Sequence, residues 1–127
     1  MDEIFGHGNF YLELQDQGLD EEAMINPQLV KLSRELDIPL VATNDVHYVK
    51  QEDAEAHDVL LAIQTATTID DEKRMRFPND QFYLKSEDEM RKIFAYAPEA
   101  IENTHKIAME CDVEFVFGDY HLPEFII

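Results

Sequence analysis

The chain has 127 residues, 45% of them hydrophobic, and its 28 Asp and Glu against ten Lys and Arg give a formal net charge of −18. This composition is that of a globular protein, and because the acidic surface repels phosphates, we expect the chain by itself to bind nucleic acid poorly. One cysteine excludes an internal disulfide and a four-cysteine zinc site, and no stretch resembles a signal peptide or membrane span, so we expect a cytoplasmic protein without membrane contact.

The first half of the chain predicts the order strand, helix, strand. Residues 10–14 are aromatic and apolar, as in a strand, and the acidic residues 20–22 after Gly18 predict a turn. Asn26 and Pro27 predict the start of a helix, with Asn as the N-cap and Pro in the first helical position. Residues 40–43 form a continuous apolar run, typical of a strand buried on both faces. Together these elements predict a parallel βαβ unit.

The second half predicts mostly helices. Residues 51–65 form an apolar helical pattern with an acidic first turn, and residues 67–80 are polar with turn signals at their end. Residues 82–84 predict a short extended piece, and Ser86 with Glu89 forms a capping box that opens a helix. Pro98 predicts the start of a last helix, and residues 113–117 predict a final strand-like run.

The segment with most chemistry begins at Thr43, where the second predicted strand ends. The carboxyl ends of strands form the active-site rim in parallel α/β folds. Asp45 and His47 are two residues apart, so in an extended segment their side chains point the same way. A carboxylate and an imidazole that converge can share a divalent metal ion. The alternative is that Asp45 caps the following helix and His47 is hydrogen-bonded to it.

Two further residues are weaker candidates. His57 stands beside Asp58 on the predicted helix, where neighbouring side chains diverge, so a structural role is favoured. Glu13 alternates with Tyr11 on the first strand and is a candidate for supporting the metal ligands; it also suits a strand residue hydrogen-bonded to a neighbouring loop. A glycine-rich phosphate loop, a nucleophile elbow and paired zinc-ligand spacing are absent from the sequence.

Several blocks of the sequence resemble the family of bacterial DNA polymerase III alpha subunits. They are FYLELQD at 10–16, IPLVATNDVHY at 38–48, AEAHDVLLAIQT at 54–65, FYLKS at 82–86 and PEAIENT at 98–104. The blocks follow one another in the same order through nearly the whole chain. The stretch from 82 to 103 resembles the polymerases and not the small phosphatases that share their barrel.

The resemblance implies a place in the polymerase-and-histidinol-phosphatase (PHP) domain, a distorted β/α barrel. Residues 1–66 would supply the last βα units of a partial barrel, and residues 67–127 a mostly helical extension leading toward the polymerase palm. Asp45 and His47 match the family's last pair of metal ligands, for zinc, manganese or magnesium. The family's first ligands would lie upstream of Met1, and the palm with its own magnesium downstream of Ile127.

The function implied for the parent protein is DNA-directed DNA synthesis in replication. The parent would bind DNA and dNTPs, and also a sliding clamp and a proofreading subunit, while this acidic chain alone would be inactive. The PHP domain would be a metal-dependent 3′–5′ exonuclease or phosphoesterase, or alternatively a non-catalytic structural and partner-binding module. Because a partial barrel exposes strand edges and apolar surface, we expect the isolated chain to be unstable, oligomeric or domain-swapped.

Overall fold

The computed structural model describes residues 1–125, so residues 126–127 at the end of the second predicted part lie outside it. The helices are α1 Asp2–Phe5, α2 Asp20–Leu36, α3 Ala54–Gln64, α4 Glu87–Ile93 and α5 Pro98–Glu110, and the strands are β1 Leu12–Leu14 and β2 Leu40–Ala42. One turn of 3-10 helix, Gln51–Asp53, leads into α3. Within residues 1–125, no helix has the length and apolarity needed to cross a membrane. The mixture of helices and parallel strands confirms the α/β class, and the barrel stays a prediction.

The predicted βαβ unit is present. β1 and β2 are parallel neighbours, with Leu12 opposite Leu40 and Leu14 opposite Ala42. α2 connects them, as a parallel pair requires a crossover. The carboxyl ends of both strands therefore lie at the same end of the sheet, and this end carries the candidate site.

One face of the sheet is buried and the other is not. Leu14, Leu40 and Ala42 are buried, whereas Val41 between them is only half-buried and Glu13 is exposed. The prediction that residues 40–43 are buried on both faces is therefore wrong. The reason is the two-residue alternation of a strand: helices cover only the face that the even-numbered residues share.

The core lies between this face and three helices. Phe94, just after α4, is 1% exposed, and Ala97 at the start of α5 is fully buried. The buried cluster is completed by residues of the strands, α2 and α5: Leu14, Val30, Leu40, Ala42, Ala100 and Ile101. Its members come from elements far apart in the chain, so the core holds the two predicted parts together.

α5 also covers the free edge of β2. Leu12 donates its backbone N–H to Pro39 and Thr43 donates its own to Leu14, so Leu40 and Ala42, which alternate with the residues bonded to β1, turn their polar groups away from β1. The outward carbonyl of Leu40 accepts from Asn103 Nδ2 at 2.8 Å. That of Ala42 accepts from Thr104 Oγ1 at 3.0 Å. The expectation of an open strand edge is thus wrong for these two carbonyls of β2.

The start of α2 differs from the prediction. The helix begins at Asp20, within the acidic stretch that predicted a turn, and Pro27 lies inside it. The Glu22 carboxylate accepts the backbone N–H groups of Gln17 and Leu19, at 2.7 and 3.0 Å, which stabilises this earlier start. Asn26 is not an N-cap; it is buried and donates to the carbonyl of Gln15 at 2.8 Å.

Two terminal features also differ. Residues 2–5 form a short helix that the sequence did not predict. Residues 113–117 form no strand; they are exposed, with Phe117 at 92%. A strand requires a partner for its backbone groups, and within residues 1–125 the sheet consists of β1 and β2, neither of which pairs with this run.

Candidate metal-binding site

The site lies where the chain leaves the two parallel strands. The loop after β1 is tied to the loop after β2 by two glutamines. Gln15 Nε2 donates to Thr43 Oγ1 at 3.2 Å, and Gln17 Nε2 donates to the carbonyl of Asn44 at 3.0 Å. Gln17 is 2% exposed, so solvent cannot easily compete for this hydrogen bond. These two hydrogen bonds fix the course of the backbone that leads to Asp45.

Asp45 turns the chain sharply. Its φ is 47°, in the left-handed region that aspartate tolerates better than most residues. The segment is therefore not extended, as the argument from spacing had assumed. The turn brings the His47 ring back onto Asp45: Nδ1 of His47 lies 2.9 Å from the Asp45 backbone carbonyl and 3.8 Å from its carboxylate Oδ1. The two predicted ligands are thus neighbours in space.

The hydrogen bond of His47 defines which nitrogen is free. A backbone carbonyl can only accept, so Nδ1 of His47 carries the proton and donates it to Asp45. In the neutral imidazole the lone pair is then on Nε2, the usual arrangement of a histidine that binds metal. The His47 side chain is 36% exposed and that of Asp45 45%, so an ion can reach both.

Behind His47 lies a cluster of aromatic rings. Its centre is Phe77, whose ring centroid lies 4.7 Å from that of His47, 4.8 Å from that of His57 and 4.6 Å from that of Phe82. All three pairs are edge-to-face, the arrangement that aromatic rings favour. His57 and His47 themselves are 5.8 Å apart. One wall of the candidate site is therefore apolar and closely packed.

The segment that carries Phe77 is attached to α3 by an ion pair. The Arg74 guanidinium, whose side chain is 2% exposed, donates from two nitrogens to the two carboxylate oxygens of Asp58. Arg74 also donates to the carbonyl of Ile69 at 3.2 Å. The hydrogen bond from Arg74 lowers the pKa of Asp58, and the nearby positive charges lower it further. This bidentate ion pair holds the irregular segment around Phe77 against α3, so the segment forms one wall of the site.

A short extended piece runs beside the site. His47 and Tyr48 donate their backbone N–H groups to the carbonyl of Phe82, at 2.8 and 3.4 Å, and Tyr48 pairs with Tyr83 in a parallel bridge. The extended character predicted for residues 82–84 is confirmed. Tyr48 is buried, and burial raises the pKa of its hydroxyl. His47 is thus held by its backbone as well as by its ring.

Glu13 occupies a different position from the ligand pair. Its carboxylate accepts from Thr43 Oγ1 at 2.5 Å and from Gln15 Nε2 at 3.4 Å. Glu13 is therefore hydrogen-bonded to Thr43, which directly follows β2 and lies two residues before Asp45. This contact matches the alternative interpretation of Glu13, a strand residue hydrogen-bonded to its neighbour, and a supporting role toward the metal ligands remains a prediction.

The donor chemistry of the pair fits a divalent ion. A carboxylate and a neutral imidazole nitrogen are ligands that zinc and manganese accept, and the Asp45 carboxylate lies 3.8 Å from the protonated Nδ1 of the same imidazole whose Nε2 is free. Among residues 1–125, no group of three or more His, Cys, Asp or Glu side chains could hold an ion. Among the described residues, the pair could therefore supply at most two protein ligands to an ion.

Sequence reasoning missed the wall behind His47. The sequence favoured a structural role for His57, because it diverges from Asp58, and the structure places its ring 5.8 Å from that of His47. A signal was available, since His57 is four residues before the buried Leu61 and so shares the inward face of α3. Phe77 had no such signal, because the irregular segment around it has no periodicity from which burial can be inferred.

Comparison with curated proteins finds many relatives of one kind. The chain is 47% identical over 128 residues to the DNA polymerase III subunit alpha of Thermus aquaticus, covering 96% of this chain. It is 48% identical over 110 residues to that of Treponema pallidum and 46% over 117 residues to that of Pseudomonas aeruginosa, covering 87% and 91% of this chain. No family model matches the chain. It spans about a tenth of the length of these relatives, 9 to 10% in each case.

Proposed function

Because this chain belongs, along the segment that it covers, to the family of bacterial DNA polymerase III alpha subunits, we propose that it works as one part of a DNA-directed DNA polymerase in replication. Its own contribution is one corner of a metal-dependent phosphoesterase site, of the 3′–5′ exonuclease kind. The observation that carries the proposal is the contact between Asp45 and His47 at the carboxyl edge of the parallel sheet.

Each residue of the pair has a defined task. The carboxylate of Asp45 and the Nε2 lone pair of His47 would hold the ion, while Nδ1 of His47 keeps its proton and donates it in a hydrogen bond to the carbonyl of Asp45. The chemistry that a divalent ion supplies at such a site is activation of water and stabilisation of negative charge on a phosphate. Tyr48, Phe77 and Phe82 form the apolar side of the site, which supports the ring that holds the ion.

The charge of the chain supports the same assignment. With a net charge of −18, its surface repels a phosphodiester, so contact with DNA requires cations. A bound divalent ion provides positive charge at the point where a phosphate would approach. Zinc and manganese accept a carboxylate, an imidazole and water as ligands, whereas magnesium favours oxygen ligands. Binding of DNA, dNTPs, a sliding clamp and a proofreading subunit belongs, in this proposal, to the whole polymerase.

The experiment compares two Asp-x-His pairs of the same chain. In one variant Asp45 and His47 are both replaced by Ala, and in the other Asp119 and His121 are replaced. The second pair has the same spacing and a similar contact, 3.3 Å, but its side chains are 62% and 87% exposed. It also lies outside the aromatic cluster. It is therefore a matched control for the loss of one carboxylate and one imidazole.

We expect the Asp45, His47 variant to lose Mn²⁺ binding and the control to retain it, as measured by the electron paramagnetic resonance signal of free Mn²⁺. In the full-length polymerase, the first variant should lose metal-dependent hydrolysis of single-stranded DNA while nucleotide incorporation continues. Equal Mn²⁺ binding by both variants would remove these residues from the metal site. Retained hydrolysis with lost Mn²⁺ binding would confine the ion to a structural role.

A second candidate function is a non-catalytic structural and partner-binding module of the replicase. It is favoured by large apolar side chains that face solvent on α3, where Leu60 is 58% and Ile63 71% exposed. Similar side chains follow α5, with Phe115 at 77% and Phe125 at 89%. Exposed apolar side chains mark protein contacts where they form a patch. The two functions differ in outcome, because substitution of Leu60 and Ile63 by Ser should weaken assembly of the replicase without changing Mn²⁺ binding.

A further inference from the structure

We infer that Phe77 is a positioning residue for the candidate metal site, whose ring keeps the His47 imidazole in the orientation set by its hydrogen bond to the Asp45 carbonyl. This inference rests on the metal-binding role proposed above for His47. Phe77 has no polar atom on its side chain, so it cannot be a ligand. Its effect must be exerted through packing against the ring beside it.

The first argument is the closeness of Phe77 to His47. Three rings surround the imidazole, and Phe77 is nearest, with centroids 4.7 Å apart and planes at 73°. His57 and Phe82 are both 5.8 Å away. An edge-to-face contact limits rotation of both rings, because turning either one forfeits the favourable geometry or causes a clash. Of the three neighbours, Phe77 therefore restricts the His47 ring most directly.

The second argument is that His47 needs such a restraint. Its side chain is 36% exposed, so packing does not enclose the ring completely. One hydrogen bond, 2.9 Å long, from Nδ1 to the carbonyl of Asp45 is its polar anchor. If the ring turned over, the carbon Cδ2 would take the place of Nδ1 beside this carbonyl, and the hydrogen bond that keeps the proton on Nδ1 would be lost. The packing of Phe77 against one side of the ring opposes this movement.

The third argument is that Phe77 is itself held from both sides. Three residues earlier, Arg74 is locked to Asp58 of α3. Two residues later, Asn79 Nδ2 donates to the carbonyl of Gln17 at 2.8 Å. Gln17 in turn donates to the carbonyl of Asn44, next to Asp45. The segment that carries Phe77 and the turn that carries Asp45 and His47 are thus joined by hydrogen bonds. These bonds keep the Phe77 ring in place relative to the turn.

The test follows the His47 ring directly in the 127-residue chain labelled with ¹⁵N at histidine. Long-range ¹H–¹⁵N correlation spectra show which nitrogen carries the proton, and electron paramagnetic resonance of free Mn²⁺ gives the affinity. The variants are Phe77→Leu, which removes the ring, and Phe77→Tyr, which keeps it. Phe125→Leu is the matched control, since Phe125 is 89% exposed. Far-UV circular dichroism monitors folding of each variant.

We expect Phe77→Leu to give a mixture of His47 tautomers and to weaken Mn²⁺ binding about tenfold, the usual consequence of losing support for a ligand. Phe77→Tyr and Phe125→Leu should match the unsubstituted chain in both measurements. An unchanged tautomer and unchanged affinity in Phe77→Leu would overturn the inference. If Phe77→Leu unfolds the chain, Phe77→Met, which keeps the volume without the ring, is measured in its place with the same expectations.

The two readouts separate this inference from the function on which it rests. If the unsubstituted chain binds no Mn²⁺ but Phe77→Leu still disturbs the His47 tautomer, the proposed metal site fails and the positioning role stands. If the unsubstituted chain binds Mn²⁺ and Phe77→Leu behaves identically, the metal site stands and the positioning role fails.

Discussion

Asn103 donates its side-chain amide to the backbone carbonyl of Leu40 over 2.8 Å, and so joins the last helix to the free edge of β2. Leu40 is 2% exposed, so water cannot easily replace this donor. A strand edge whose polar groups are satisfied by a helix is protected from pairing with another chain. The second half of the chain therefore completes the small sheet of the first half.

Replacement of Asn103 by Ala should destabilise the chain by about 1–3 kcal/mol, because the carbonyl of Leu40 is left buried without a donor. Urea denaturation measures the change. Asn9→Ala is the matched control, since Asn9 makes the same kind of bond, to the carbonyl of Phe5 at 3.1 Å, in an exposed position. Equal stability changes in the two variants would show that the edge is not protected in this way.

Replacement of Phe94 by Ala should cost about 3–5 kcal/mol of unfolding free energy, as is usual for a large cavity in a packed core. Phe94 is 1% exposed and belongs to the cluster shared by both strands, α2 and α5. Phe117→Ala removes the same atoms from a side chain that is 92% exposed and should change stability by less than about 0.5 kcal/mol. A small effect at Phe94 would contradict a core of this composition.

Glu89 should make stability depend on pH in the acid range. Hydrogen bonds from Ser86 first, and then from the Tyr83 hydroxyl, lower the pKa of Glu89 from 4.5 to about 2. A lowered folded-state pKa adds stability that is present above about pH 4.5 and is lost as the pH falls toward 2. Glu89→Gln should therefore be less stable than the unsubstituted chain at about pH 6, with the difference vanishing near pH 2.

Urea midpoints across this pH range test the assignment to Glu89. Glu114→Gln is the control, because Glu114 is exposed in the segment after α5 and its replacement should give no comparable pH dependence. A difference between Glu89→Gln and the unsubstituted chain that stays constant from pH 6 to pH 2 would show that the carboxylate is not held by these hydrogen bonds.

Arg74 should contribute more to thermal stability than Arg76, which carries the same charge. Arg74→Gln removes both hydrogen bonds to Asp58 from a site where the guanidinium is buried, and we expect the thermal midpoint to fall by about 5 °C. Arg76→Gln removes the same charge from an exposed position of the same segment and should leave the midpoint nearly unchanged. Differential scanning calorimetry compares them, and equal midpoints would exclude a stabilising role for the buried pair.

Local signals in the sequence predicted elements that depend on neighbouring residues. The capping box of Ser86 and Glu89 opens α4 as expected, and Pro98 begins α5. The parallel pairing of β1 and β2 follows from the order strand, helix, strand. Asn26 and Pro27 were misread because the same residue types that start helices can also serve elsewhere: Asn26 uses its amide for a bond to Gln15, eleven residues away.

The candidate ligands could be found from the sequence because they follow a strand that the sequence identifies. Their geometry could not be found in that way. The spacing of Asp45 and His47 implied an extended segment, whereas a φ of 47° at Asp45 brings them together through a turn. Gln17 and Gln15, in the loop after β1, hold that turn through hydrogen bonds to Asn44 and Thr43. These contacts join residues 27 and 28 positions apart.

The sequence by itself determined the α/β class, the order of most elements and the position of Asp45 and His47 at a strand end. These features depend on side-chain alternation and on capping signals within a few residues of one another. Only the tertiary structure decided that Phe77 packs on His47, that Arg74 locks onto Asp58 and that Asn103 covers the edge of β2. The reason is that these contacts join residues 30, 16 and 63 positions apart, where no local pattern specifies which partner a side chain will meet.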